Sequence, residues 1–306
     1  LGLYNGTMNR ALGHTPCCRA RSHFREEYEE EPLSDNNLVE AWITDLGRVL
    51  GSASLQVSDV RIGVFYTAAG LSNGYTGVAF TPRGLTDTVC CPKSASVAPP
   101  AGRLAGQDAW KLAGYALSPV ALRRAVGVAV LNALSAMAMD VHGVPGGRVA
   151  QGMDALQAAG VCPDDRVAMV GGFLPFIKAL KGQVQALWVV DKHPEALKED
   201  ELPFWRAPAQ AAETLSQASV VVITGSSLVE GGIDELLDSA RNARRIVLAG
   251  PTASPWAPPF FERGVDVLGG IRVLDGPRML QIVAEGGSGY FFDNGAEKVC
   301  IVKDSG

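Results

Sequence analysis

Five short apolar runs set the terms for the second half of this chain: residues 167–170, 186–190, 220–223, 246–249 and 265–268. Helix-like spacings lie between them, among them Ile233, Leu236, Leu237 and Ala240, with Asp234 and Glu235 in the first turn, where carboxylates favour the helix dipole. Continuous apolar strands alternating with helices leave neither sheet face in water, so the pattern predicts a parallel sheet covered on both sides. The closing "EKVCIV" predicts one further strand at an edge.

A sheet of that kind binds ligands outside the carboxyl ends of its strands, where the loops leave it. The chain therefore nominates Gly171, Gly172 and Phe173 after the first run and Asp191 and His193 after the second. Thr224, Gly225, Ser226 and Ser227 follow the third, and Gly250, Pro251 and Thr252 the fourth. Glycine lets a ligand approach the backbone, and hydroxyls supply adaptable hydrogen bonds. Asp191 and His193 are also the candidate metal ligands, with Glu195 the neighbouring carboxylate. Asp191 stands about twenty residues beyond the glycine pair, where nucleotide-binding sheets place the carboxylate for ribose hydroxyls. Yet "VAMVGGFLPFIKAL" carries Phe173, Leu174, Pro175 and Phe176 where a dinucleotide loop carries its third glycine, which argues against NAD. The phosphate-cradling GxxxxGKS/T and the zinc-binding HExxH patterns do not occur.

The first half reads differently. Ser34 and Asp35 are placed to cap a helix whose apolar stripe is Leu38, Val39, Trp42, Ile43, Leu46, Val49 and Leu50. "DVRIGVFYTAAG" and "YTGVAFTPRG", separated by the turn signal Asn73-Gly74, predict a two-stranded hairpin. After a Pro-, Gly- and Ser-rich loop over 87–106, helical spacing resumes at Trp110, Ala113 and Leu117. It breaks near Ser118 and restarts with Ser118 as cap and Pro119 in the first position. Leu122, Ala125, Val126, Ala129, Ala133 and Met137 then line one face, and their small size predicts close packing. "VHGVPGGR", residues 141–148, is the domain boundary. The expected fold class is α/β: a charged extension over 1–33, an α+β domain over 34–143 and a parallel-sheet domain over 148–306.

Composition narrows the partners. A hydrophobic share of 47% over 306 residues is that of a globular protein. The most apolar stretch, residues 125–139, reads as a buried helix rather than a span of about 20 residues, so no membrane partner is expected. The first residues lack the apolar core of a secretory signal, and a cytoplasmic location is the default expectation. A net charge of −5 argues against nucleic acid as partner. The basic run from Arg10 to Arg25, followed by Glu26, Glu27, Glu29, Glu30 and Glu31, reads as a solvated, disordered extension. Six cysteines, with Cys17-Cys18 and Cys90-Cys91 adjacent, match neither a disulfide framework nor a spaced zinc site.

Several phrases taken together carry a resemblance: "RIGVFYTAAG", "GVAFTP", "LAGQDAWKLAGYALSPVALRRAVGVAVLNALS", "VAMVGGFLPFIKAL", "VVDKHPE", "ASVVVITGSSLVEGGIDELLD", "IVLAGPTASP" and "GVDVLGGIRVLD". In this order, over residues 34–302, the chain resembles the family described as putative heavy-metal chelation. The resemblance implies an enolase-N-terminal-like domain joined to a Rossmann-like domain, with a site in the cleft between them. It further implies a divalent or heavy-metal ion, or a metal-chelate complex, as the cofactor or small-molecule partner. Two other expectations stand beside it. One is an enzyme that binds a nucleotide or S-adenosylmethionine through Gly171, Gly172 and Asp191. The other is a scaffold that acts through association as a homo-oligomer, with Trp205 and Trp256 covering the cleft or forming a subunit contact.

Overall fold

The computed structural model describes residues 37–51, 54–82, 98–150 and 153–304. Helix α1 (Leu38–Leu50) is capped by Asn37, whose side chain accepts from the N–H groups of Val39 and Glu40. Ser34 and Asp35, the expected caps, lie outside the described residues. The predicted stripe is the buried one, with Leu38, Val39, Trp42 and Leu46 inside.

Three antiparallel strands follow, β1 (Val57–Ile62), β2 (Tyr66–Leu71) and β3 (Thr76–Phe80), in that order across the sheet. The expected two-stranded hairpin is thus corrected to three strands. The run "DVRIGVFYTAAG" turns at Gly63, whose N–H donates to the Tyr66 carbonyl at 2.9 Å, and a side chain at 63 would run into the Val283 carbonyl.

Helix α2 (Ala109–Ala113) and a tighter turn (Gly114–Leu117) lead into the long helix α3 (Ala121–His142). Its start is a second correction: Ser118 Oγ accepts from the Val120 N–H at 3.2 Å, closing a local turn, and the helix begins after Val120. By length and composition α3 matches a membrane span, yet 67% of its most apolar window is buried inside the protein. Small residues let it lie close: a side chain at Gly77 of β3 would meet the backbone of Ala129 and Ala133, and one at Gly127 that of Tyr115 and Ala116.

The second half is an eight-stranded sheet. Its strands are β4 (Gly147–Val149), β5 (Arg166–Val170), β6 (Ala186–Val190), β7 (Trp205–Arg206), β8 (Val220–Thr224), β9 (Arg245–Ala249), β10 (Val267–Val273) and β11 (Ala296–Lys303). They run in the order β4-β11-β10-β9-β8-β5-β6-β7. From β10 to β7 all neighbours are parallel, whereas β11 is antiparallel to both β10 and β4. Helices α4 (Ala155–Ala159), α5 (Leu174–Leu180), α6 (Ala211–Ser216), α7 (Ser227–Glu230), α8 (Ile233–Ala240), α9 (Ala257–Glu262) and α10 (Gly276–Ala284) connect them. The five apolar runs fall in β5, β6, β8, β9 and, shifted toward its C-terminus, β10. "EKVCIV" is an interior strand, not an edge, because the segment read as a domain boundary supplies β4 outside it. The order reverses between β5 and β8, as in a doubly wound sheet.

The loop after β9 ties the halves together. Thr252 Oγ1 accepts from the Phe80 N–H at 2.9 Å, and Asn132 donates through Nδ2 to the carbonyls of Val78 at 2.8 Å and Thr252 at 3.0 Å. Trp256 is fully buried here. Its backbone N–H and the Trp42 indole N–H both reach Ser135 Oγ, at 2.8 and 2.9 Å, and its own indole N–H reaches Asp45 at 2.7 Å. Trp256 is therefore core rather than a cover or a subunit contact. The Trp42 ring meets Phe260 edge-on at 5.4 Å, and full burial of side chains this large stabilises by roughly 2–3 kcal/mol each.

Candidate functional site

The strand ends bring most of the nominated residues together, chiefly to bond one another. Gly171 has φ +94°, and a Cβ there would lie 3.1 Å from Cβ of Thr224, so the room its missing side chain leaves is taken by a threonine of the next loop. Asp191 Oδ2 accepts from the Gly172 N–H and Oδ1 from the His193 N–H, both at 2.8 Å. Trp205 Nε1 donates to the Asp191 carbonyl at 2.9 Å, pinning the same turn. His193 is exposed, with Nδ1 2.9 Å from Glu195 Oε1. Thr224 Oγ1 lies 3.2 Å from Ser226 Oγ and accepts from its N–H, while Ser227 Oγ donates to the Thr224 carbonyl. Phe173 stacks on Phe176 at 5.4 Å and lies beside Gly250. Gly225, Ser227 and Thr252 are buried in the scaffold, whereas Gly171, Phe173, Asp191, Thr224, Ser226, Gly250 and Pro251 stay half-exposed at the surface of the crevice.

A cavity of about 610 Å³ lies elsewhere, between the halves, where α3 and β3 face β10, β11 and β4. Asn132, Ala136, Met139 and Asp140 supply one wall, spaced so that one face of α3 carries all four. Leu268, Val299 and Ile301 form the apolar floor. Asn132 is 3% exposed, and its Oδ1 has no hydrogen-bond partner. The exposed end holds Asp140, Arg272 and Glu297. Arg272 Nη2 reaches Asp140 Oδ1 at 2.7 Å, and Tyr75 donates to Asp140 Oδ2 at 3.0 Å. Burial, with that bond to Asp140, pushes the Tyr75 phenol above its ordinary range. None of the residues nominated from the strand ends lines this cavity. The sequence held one signal for it: Asn132 is a polar residue inside the apolar run "VAVLNALSAMAM", and such a residue needs a partner. Arg272 and Glu297 gave none, because only the register of β10 with β11 sets them opposite each other.

The donors do not fit a bare heavy-metal ion among the described residues, where no three His, Cys, Asp or Glu side chains gather. Both carboxylate oxygens of Asp191 already accept backbone N–H groups. Burial pushes the Cys300 thiol up to about 11, which disfavours its thiolate. Cys17-Cys18 and Cys90-Cys91 lie outside the described residues.

An uncharacterised protein of Methanocaldococcus jannaschii is 26% identical over 180 residues, which cover 58% of this chain; the chain spans 65% of that relative's length. A protein of unknown function from the DUF364 family of Desulfitobacterium hafniense superposes with a TM-score of 0.68 at 23% identity, covering 89% of this chain and all of its own. Another from the same family, of Pyrococcus horikoshii, gives 0.66 at 19%, covering 88% of this chain and all of its own. At these identities the two structures show a shared fold. Two family models, over residues 45–135 and 154–302, bear one and the same description, and between them they take in the three-stranded sheet and the eight-stranded one apart from β4: the chain belongs to the family described as putative heavy-metal chelation.

Proposed function

We propose that this chain binds or processes a small organic ligand held between its two halves, and that the heavy metal of the family's description arrives inside such a ligand. The observation that carries this reading is the cavity beside α3, lined by a buried amide whose Oδ1 meets no donor. An acceptor buried without a partner costs about 1–3 kcal/mol, which a donating ligand recovers on binding. The volume suits a metabolite, since small-molecule pockets run from roughly 300 to 1,000 Å³. A metal whose coordination is filled by its chelator asks of the protein only shape, charge and hydrogen bonds. The two halves are read as an enolase-N-terminal-like domain over 34–143 and a Rossmann-like domain over 148–306, a reading supported by the separate spans of the two family models and by the strand order.

Native mass spectrometry of the protein as purified, compared with its denatured mass, tests this reading. A retained organic or metal-organic mass, lost when Ala136→Phe fills the cavity, is the expected result. A retained mass that Ala136→Phe leaves in place sinks the proposed location.

The strand-order reversal between β5 and β8 favours a second reading, an enzyme that binds a nucleotide or S-adenosylmethionine across Gly171, Gly172 and Asp191, with Ser226, Gly250 and Pro251 within reach. Millimolar adenine cofactors then raise Tm, and Asp191→Ala or His193→Ala removes the rise. No shift with ATP, NAD or S-adenosylmethionine counts against it.

A further inference from the structure

The two ends of the cavity differ in chemistry, and on the reading just given they define what kind of molecule belongs there. At the deep end, Asn132 gives its Nδ2 hydrogens to the carbonyls of Val78 and Thr252, which fixes the amide orientation and leaves Oδ1 an acceptor only. Asp140 lies eight residues further along α3, about 12 Å away at a helical rise of 1.5 Å per residue.

That outer end carries both signs. Arg272 spends Nη2 on Asp140, and the rest of its guanidinium makes no hydrogen bond among the described residues. Glu297 is the cross-strand partner of Arg272 and holds no ion pair among the described residues. The pleat puts both on the cavity side. Gly270, two residues before Arg272, is pressed against Ala253 and Ser254 on that side, whereas Gly269 is pressed against Ala155 of α4 on the other. Lys298 and Arg148 also line the cavity, but by register their side chains leave the strands on the α4 side, and Arg148 pairs with Asp304. Ala136, Met139, Leu268 and Val299 make the stretch between the ends apolar.

We propose that this cavity recognises an amino-acid-derived zwitterion of dipeptide size, its carboxylate on Arg272, its ammonium on Glu297 and Asp140, and a hydroxyl or N–H at its far end donating to Asn132 Oδ1. Other classes fit worse for stated reasons. A plain anion meets Asp140 and Glu297, a plain cation meets Arg272, and a hydrocarbon leaves the Asn132 acceptor buried and unpaired.

Four probes, titrated calorimetrically into the full chain, test the class. Glycyl-L-tyrosine has all three groups, glycyl-L-phenylalanine lacks the hydroxyl, N-acetyl-L-tyrosine lacks the ammonium and glycyl-tyramine lacks the carboxylate. Glycyl-L-tyrosine is expected to bind, and each analogue to bind at least tenfold more weakly, about 1.4 kcal/mol. Glu297→Gln, a change on an exposed strand position, is expected to weaken glycyl-L-tyrosine and leave N-acetyl-L-tyrosine unchanged. Equal binding of all four probes, or no binding of glycyl-L-tyrosine at millimolar concentration, overturns the assignment. Either result leaves the cavity itself standing where native mass spectrometry finds a mass that Ala136→Phe removes, so the class and the location fail separately.

Discussion

Asp165 and Arg244 stand 79 residues apart in sequence, yet the guanidinium grips the carboxylate through Nε and Nη2 beneath the sheet. Hydrogen bonding to Arg244, assisted by the Cys162 N–H and Ser219 Oγ, holds the Asp165 carboxyl at about 2, below the roughly 3.9 of an unfolded aspartate. The folded state therefore favours the ionised form. The pair stabilises fully above about pH 4, and its contribution is lost as pH falls toward 2. Arg244 is partly exposed, which screens the pair, so Asp165→Asn should cost roughly 1–2 kcal/mol at pH 7. Urea denaturation of both proteins should show that difference shrinking toward zero by pH 2. Asn132→Ala removes two donated hydrogen bonds and leaves the Val78 and Thr252 carbonyls unmatched, so a loss of about 2–4 kcal/mol in urea denaturation is expected. At this scale the sequence was legible by residue type and blind to pairing. It placed Asp191 at a strand end, where it sits, but local spacing says nothing of whether its oxygens are spent on backbone N–H groups or offered to a ligand.

Helices and strands were read most surely where burial is either one-sided, as in α1, or complete, as in the central strands. The α1 stripe and most of the runs of β5, β6, β8 and β9 are buried as expected, because burial itself writes the pattern: a period where one face is covered, an unbroken apolar run where both are. β4 and β7 escaped notice because three and two residues are too few for any period to register. The extra turn at Gly63 escaped because the group that leaves no room for a side chain there, the Val283 carbonyl, comes from a helix 220 residues on. Two glycine substitutions should separate packing from propensity. Gly77→Ala drives a methyl into the backbone of α3 and is expected to cost more than about 3 kcal/mol or to prevent folding, since overpacking of backbone on backbone has no rotamer to relax into. Gly47→Ala, inside α1 with no atom near the new methyl, is expected to raise stability by about 0.5–1 kcal/mol. Thermal unfolding followed by circular dichroism reads both, and the same sign for the two would contradict this account.

Taken whole, the described residues form one packed body, and the loop after β9 is why. Trp42 lies in one half and Trp256 in the other, yet they share Ser135 as acceptor. Unfolding followed by tryptophan fluorescence and by far-ultraviolet circular dichroism should therefore give coincident transitions; two separated midpoints would mean that the halves stand alone. The cavity between them was legible in the sequence only as the cleft the family resemblance implies and as the lone polar Asn132, since its walls come from both halves and no periodicity within either sets them face to face. Where Gly63 meets the Val283 carbonyl of α10, backbone of one half touches backbone of the other with no layer of side chains able to slip, so the joint behaves as a rivet rather than a hinge. A guest reaching Asn132 then has to thread past Asp140 and Arg272 without the halves parting, so its on-rate should be set by diffusion and by ionic strength, with no slow opening step and no change in scattering radius on saturation.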